Sequence, residues 1–358
     1  MNFASDNVMG ASAPVLDALV RANQGALPAY ANDAVTKRIE ERLCDLFERP
    51  VDVFLVATGT AANALALAAA VPPYGLCLCH REAHIMEDEC GAPEFYTHGA
   101  KLAGLDGVGA KIAAADLEAY LAGLGRHVKQ MPPKALSISQ ASECGLVYLP
   151  DEVAALAAIG RAHGLALHMD GARFANALAA LGRSPAEATW KAGVDLLSFG
   201  ATKNGCLAAE AVIVFRPDLA ESLAYRRKRA GHLLSKGRFL AAQLEGYLAE
   251  DHWLGNARHA NAMAQRLAAG LTALPGVRLA WPCQANEVFP IIPRSLDQSL
   301  RESGVIYHPW SSRSLPSDET VGGNEVLVRL VTSFATAPGD VDRLLGMARQ
   351  ALRPRSTG

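Results

Sequence analysis

The chain has 358 residues, half of them hydrophobic and 20% charged, with a formal charge of −2 and a pI of about 6.6. This composition excludes a disordered chain and allows a large buried core, with about two domains as the prior for the length. No basic stripe or interleaving of aromatic and basic residues is present, so nucleic acid is not an expected partner. Seven cysteines form no metal-ligand pattern, and their odd number argues against a disulfide framework. Cys77 and Cys79 fall on one face of a strand and read as buried, reduced thiols. Residues 1–10 lack a basic region followed by an apolar core, and the Ala-rich run at 61–71 is too short to span a membrane. The expectation is a cytoplasmic protein without a metal or membrane partner.

In chain order, the pattern predicts a helix over 33–47 and a β-branched strand over 51–56. A buried helix follows to residue 70. Short apolar strands are expected at 76–79, 135–138, 165–169, 194–199 and 211–215, with amphipathic segments between them such as 151–163, capped by Asp151. Apolar strands alternating with helices predict an α/β fold with a mostly parallel sheet covered on both faces. A long helical stretch over 219–250 is rich in Arg and Lys from 226 to 238. Beyond it come a helix at 256–271, strands near 277–281 and 287–292, a short helix at 295–303, strands at 304–307 and 325–331, and a last helix at 340–352. The expected division is a large domain over 1–250, with an N-terminal arm at 1–12, and a small C-terminal α+β domain over 251–358. The Ser-, Gly- and Pro-bearing segment 309–324 reads as a loop.

The chemistry concentrates at strand ends. Lys203, in Ser198-Phe199-Gly200-Ala201-Thr202-Lys203-Asn204-Gly205, follows one predicted strand; Asp170, in His168-Met169-Asp170-Gly171-Ala172-Arg173, closes another. In doubly wound folds ligands collect beyond the carboxyl ends of the strands. An amine and a carboxylate there suit pyridoxal 5'-phosphate (PLP), because the Lys can form a Schiff base and the Asp can keep the pyridine nitrogen protonated. The bland alternatives are a loop Lys and a helix-capping Asp. Arg173, a helical turn from Asp170, has the fork to take a substrate carboxylate in bidentate fashion. Thr58-Gly59-Thr60-Ala61-Ala62-Asn63 joins a strand to a helix whose first amides, with the Thr60 hydroxyl, could cradle a phosphate. No G-x-G-x-x-G accompanies it, so a dinucleotide site is not supported. His84 could stack on a pyridine ring or move protons. Glu87, Asp88 and Glu89 beside it read as a solvated acidic turn.

Taken together, these motifs resemble the low-specificity threonine aldolases, fold-type I PLP enzymes of the aspartate-aminotransferase superfamily. The resemblance also rests on Phe3-Ala4-Ser5-Asp6-Asn7, Ala83-His84 with Asp88-Glu89-Cys90-Gly91-Ala92-Pro93-Glu94-Phe95, and Thr189-Trp190-Lys191-Ala192-Gly193-Val194-Asp195. It spans the first domain in order and is thinner in the second, resting there on Val328-Arg329-Leu330-Val331-Thr332. It implies cleavage of L-threonine and related β-hydroxy-α-amino acids to glycine and an aldehyde. By this resemblance Lys203 would carry PLP, Asp170 would face its ring nitrogen and His84 would stack on the ring. Gly59, Thr60 and the Ala61 amide would bind the phosphate, and Thr202 and Arg173 would also contact the cofactor. Ser5, Arg173 and Arg329 would clamp the substrate carboxylate, and His84 or His127 would be the base. Lys228 would reach a phosphate across a subunit interface and Tyr30 would lie near a neighbouring active site, in a homodimer or homotetramer with shared sites. Gln140-Ala141-Ser142-Glu143 stands where another branch carries Glu-Asn-Thr, which suggests the bacterial branch. Rival readings are a β-eliminating or serine-hydroxymethyltransferase-like lyase, and a non-catalytic protein of the same fold.

Overall fold

The computed structural model describes residues 1–125 and 127–353. Seven strands form the large sheet: β1 (Asp52–Val56), β2 (Leu76–His80), β3 (Lys101–Leu105), β4 (Pro133–Ser139), β5 (Ala166–Gly171), β6 (Leu196–Gly200) and β7 (Glu210–Val214). Their order is β1-β7-β6-β5-β4-β2-β3, and only β7 runs against its neighbours. The central strands β2, β5, β6 and β7 are buried along their whole length, as continuous apolar runs between two helical layers require. Strand β3 was not legible in the sequence. Its Lys101-Leu102-Ala103-Gly104-Leu105 carries three weak β-formers, Lys101, Ala103 and Gly104, and lies at the sheet edge, half-buried over three of its five positions.

Two helical expectations change. Asp151 sits inside the first turn of the helix Pro150–Ala162 instead of capping it; Leu149 occupies the cap position and Glu152 reaches back to its amide at 2.7 Å. The stretch 219–250 is two helices, Ala220–Arg229 and Arg238–Leu248, separated near Gly231, which has a φ of 80°. Four consecutive basic residues end the first of them, where the helix dipole favours positive charge.

A second, antiparallel sheet follows: β8 (Arg278–Leu279), β9 (Glu287–Val288), β10 (Pro290–Pro293), β11 (His308–Pro309) and β12 (Glu325–Val331), ordered β11-β12-β10-β8 with β9 also on β12. Within 304–307, where a strand is expected, only a single bridge from Ile306 to Asn2 forms; the strand β11 lies just beyond, at His308–Pro309. The helix His252–Thr272 spans both units. Its first turns place Trp253 and Ala257 in the core of the large sheet, and its later turns place Ala264, Leu267 and Leu271 in the core of the small one.

The first residues tie the units together. The Phe3 amide donates to the Ile306 carbonyl and its carbonyl accepts from the Val331 amide, both at 2.8 Å, and its ring lies in the small unit's core. A few residues on, Ser12 bonds to the carbonyl of Gly205 in the large unit. The arm grouped with the large domain by sequence thus contacts both.

Candidate active site

A cavity of about 330 Å³ opens at the carboxyl ends of β4, β5 and β6, and Asp170 and Lys203 both line it. Asp170 is paired across the ladder with Ser198, and β6 ends two residues later at Gly200. A Cβ on Gly200 would come within 2.7 Å of the Ala172 Cα, so only glycine lets the two strand ends approach this closely. The chain then turns through the short helix Thr202–Asn204, which presents Lys203 to the cavity. The Lys203 amine has no hydrogen-bond or ion-pair partner among the described residues.

Asp170 is 6% exposed. Its Oδ2 accepts from Asn63 Nδ2 at 2.8 Å and its Oδ1 from the Ala172 amide at 3.0 Å. Asn63, on the buried face of the helix Gly59–Ala70, also donates to Glu89 Oε1 at 2.8 Å. Glu89 in turn accepts from His84 Nδ1 at 2.9 Å. This corrects the reading of 87–89 as a solvated turn: Glu87 and Asp88 are exposed, but the Glu89 side chain is fully buried and aimed inward. Because a carboxylate can only accept, it fixes the hydrogen on His84 Nδ1 and leaves Nε2 as the acceptor. The hydrogen bond that His84 donates to Glu89 raises the His84 pKa, against the opposing effect of burial, with Glu143, Asp170 and Glu89 charges adding to the rise. Burial in turn raises the pKa of Glu89.

At the other end of the cavity the helix Gly59–Ala70 begins. Gly59 and Thr60 line the space, and nothing lies within 4 Å of where a Gly59 Cβ would stand. The Ala61 amide, expected to be a phosphate donor, instead donates to the capping Thr58 hydroxyl at 3.1 Å. A Thr at the cap position bonds the third amide of a helix, and here that removes one expected ligand. Thr202 lines the cavity as expected, and beneath it lies Glu210, which sequence reasoning missed. Glu210 accepts from the Ala201 amide at 3.1 Å, and burial pushes its carboxyl up to about 7.

The arginines differ from the simple clamp. Arg173 lines the cavity, but its Nε and Nη2 grip Asp6 of the arm at 2.8 and 3.0 Å, so one edge of the fork is already taken. Arg329 stacks 4.6 Å from the Trp310 ring centre and donates to the Ala4 carbonyl at 3.3 Å. Ser5 caps the turn Asp6–Val8, accepting from the Asn7 amide, and Asn7 reaches the cavity in its place. Lys228 and Tyr30 lie away from this cavity, against each other: the Lys228 amine is 4.5 Å from the Tyr30 ring centre. His127 is not brought to the site within this chain. It is exposed, in a separate cleft with Tyr74, Met131 and Lys134, because the segment after it loops over the surface before β4. Glu143, unremarked in the sequence beyond its branch, lines the cavity and accepts from the His84 amide and the Ser139 hydroxyl. The loop 309–324 docks beside this wall. Its Arg313 pairs with Glu82 and Glu87, and its Ser314 hydroxyl donates to Glu82.

These residues fit PLP on the structure's own terms. An unpaired amine and a buried carboxylate share a cavity whose far end is an open helix N-terminus at Gly59. Among the described residues no helix is long and apolar enough to cross a membrane.

A family profile described as "Beta-eliminating lyase" matches residues 2–292. The chain is 45% identical over 302 residues to a low specificity L-threonine aldolase of Pseudomonas aeruginosa, covering 84% of this chain and 87% of that protein. It matches a solved threonine aldolase of Leishmania major with a TM-score of 0.90 and 29% identity, over 98% of this chain and 99% of that one. A solved structure described as SPT with PLP shares the fold alone, with a TM-score of 0.66 and 16% identity over 98% of this chain and 87% of that one.

Proposed function

The chain belongs to the beta-eliminating lyase family, in its low-specificity L-threonine aldolase group, and from that premise we propose that it cleaves the Cα–Cβ bond of L-β-hydroxy-α-amino acids to give glycine and an aldehyde. The observation that carries the reading is the convergence of Lys203 and Asp170 on one cavity. Lys203 would hold PLP covalently, with Gly59 and Thr60 to receive its phosphate and Thr202 lining the same cavity. PLP, once bound, supplies an electron sink for the pair released from the broken bond.

The chain's own residues do the rest. Asp170, anchored by Asn63 and the Ala172 amide, keeps a proton on the ring nitrogen. Arg173 and Arg329 take the substrate carboxylate, which sets the direction in which the side chain projects. His84, with Nδ1 committed to Glu89, takes the hydroxyl proton at Nε2; such general-base help is typically worth about 10²–10⁴-fold. Lys228 and Tyr30 serve the neighbouring site of an oligomer.

The test is an aldehyde-release assay across the stereoisomers of threonine and phenylserine, without folate. Equimolar glycine and aldehyde is the expected result. Ammonia and a keto acid in their place would mean β-elimination, and no product from any isomer would end the assignment.

A further inference from the structure

Glu287 has no role in the scheme above, yet its placement is unusual. It lies on β9, is 1% exposed, and neither carboxylate oxygen accepts a hydrogen bond among the described residues. Its Oε1 is 3.4 Å from Arg173 Nη2 and 3.9 Å from Arg329 Nη1. Glu287 therefore sits between the two guanidinium groups assigned to the substrate carboxylate.

The groups facing it can be named. Arg173 comes from the start of the helix Phe174–Leu181 and Arg329 from β12; Asp6 comes from the arm, and Glu143 from the segment after β4. Two thiols, the buried Cys144 and the half-buried Cys283, are close enough to feel its charge. Two guanidinium groups face three carboxylates here, Asp6, Glu287 and Glu143, before any substrate enters. A substrate carboxylate adds a further negative charge where water is largely excluded, and a buried charge without a partner is costly. Asp6 is held by two bonds from Arg173 and one from Asn286 Nδ2 at 3.0 Å. Glu287 is held by none, so it is the acid that can give up its charge with the least loss.

We propose that Glu287 takes up one proton from solvent when an amino-acid carboxylate seats against Arg173 and Arg329, making it a positioning residue that couples substrate capture to protonation. Burial first, then the Asp6 and Glu143 charges, raises its pKa, and the two arginines oppose this. The inference rests on the carboxylate role given above to the arginines.

The test uses the PLP-loaded enzyme and measures the dissociation constant of glycine from the change in cofactor absorbance as pH is varied. Loss of glycine's own ammonium proton affects every variant alike, so the comparison between variants isolates Glu287. Relative to Glu287→Gln, wild-type affinity should weaken with rising pH by up to tenfold per unit where Glu287 is ionised in the free enzyme. Glu287→Asp should restore that dependence. Glycinamide, which lacks the carboxylate, should bind with the same pH profile in wild type and Glu287→Gln. Identical glycine profiles in wild type and Glu287→Gln would overturn the inference. Should Glu287→Gln fail to fold, calorimetry of wild type with glycine and glycinamide in two buffers of different ionisation enthalpy decides: glycine should take up more protons than glycinamide, by up to one, and equal uptake overturns it. An Arg329→Gln enzyme that binds glycine normally would instead sink the carboxylate reading.

Discussion

His84 Nδ1 and Glu89 Oε1 lie 2.9 Å apart, with the carboxylate buried and the imidazole at the cavity wall. The pair gives the imidazole a fixed tautomer. Its folded-state pKa is raised, so its contribution to stability is full below the unfolded value and is lost as pH rises through the folded value. Glu89→Gln should lower the imidazole pKa, measured by NMR titration, and should move the acid limb of the aldehyde-release rate to lower pH. His84→Phe should reduce turnover by about 10²–10⁴-fold. Near-normal turnover in His84→Phe would remove it as the base.

Lys203→Ala should abolish both cofactor colour and aldehyde release. Asp170→Asn keeps the shape of the site but removes the charge proposed to face the ring nitrogen. Its turnover should fall by about 10²–10³-fold, the scale for losing one preorganised electrostatic partner. A milder loss would mean that the ring nitrogen does not depend on this carboxylate.

The Asp6–Arg173 ion pair is buried on both sides. Burial works to raise the Asp6 pKa, but the Arg173 and Lys203 charges and hydrogen bonds from Arg173 and Asn286 bring it below the ordinary value. The stability it contributes is present above the unfolded pKa and lost as pH falls through the folded one. Asp6→Asn leaves Arg173 short of a countercharge and should cost about 3–5 kcal/mol in chemical denaturation. The penalty should shrink toward acid pH, where wild type loses the same interaction.

Lys228 and Tyr30 were read separately from sequence, and each was assigned to a neighbouring subunit's site. They now form one surface feature. Lys228→Ala should weaken PLP affinity by about one to two orders of magnitude, the scale of a lost charged hydrogen bond of about 1.5–3 kcal/mol. Melting without cofactor should barely change. Unaltered PLP affinity would make the residue a plain surface charge.

What the sequence made legible follows from what it could encode locally. Lys203 and Asp170 were readable because each ends an apolar run, and strand ends in this class of fold face the ligand. Glu89 and Glu210 were not readable. Glu89 sits in an acidic trio whose turn geometry alone turns it inward, and Glu210 begins a strand that only the antiparallel pairing of β7 with β6 brings under Thr202. The Thr58 cap on the Ala61 amide was within reach of a local rule, a Thr just before a helix start, whereas nothing in the local pattern announces that His127 stays on the surface of its own chain. Side-chain partners supplied by distant segments, such as Asp6 for Arg173, are beyond any reading of spacing.

The helix His252–Thr272 is shared by two hydrophobic interiors. Heating should therefore collapse both units in a single cooperative step, and a scissor placed near its start should leave neither piece able to stand alone. Any movement of the small unit carries the later turns of this helix with it and strains the contacts that the arm makes to both units.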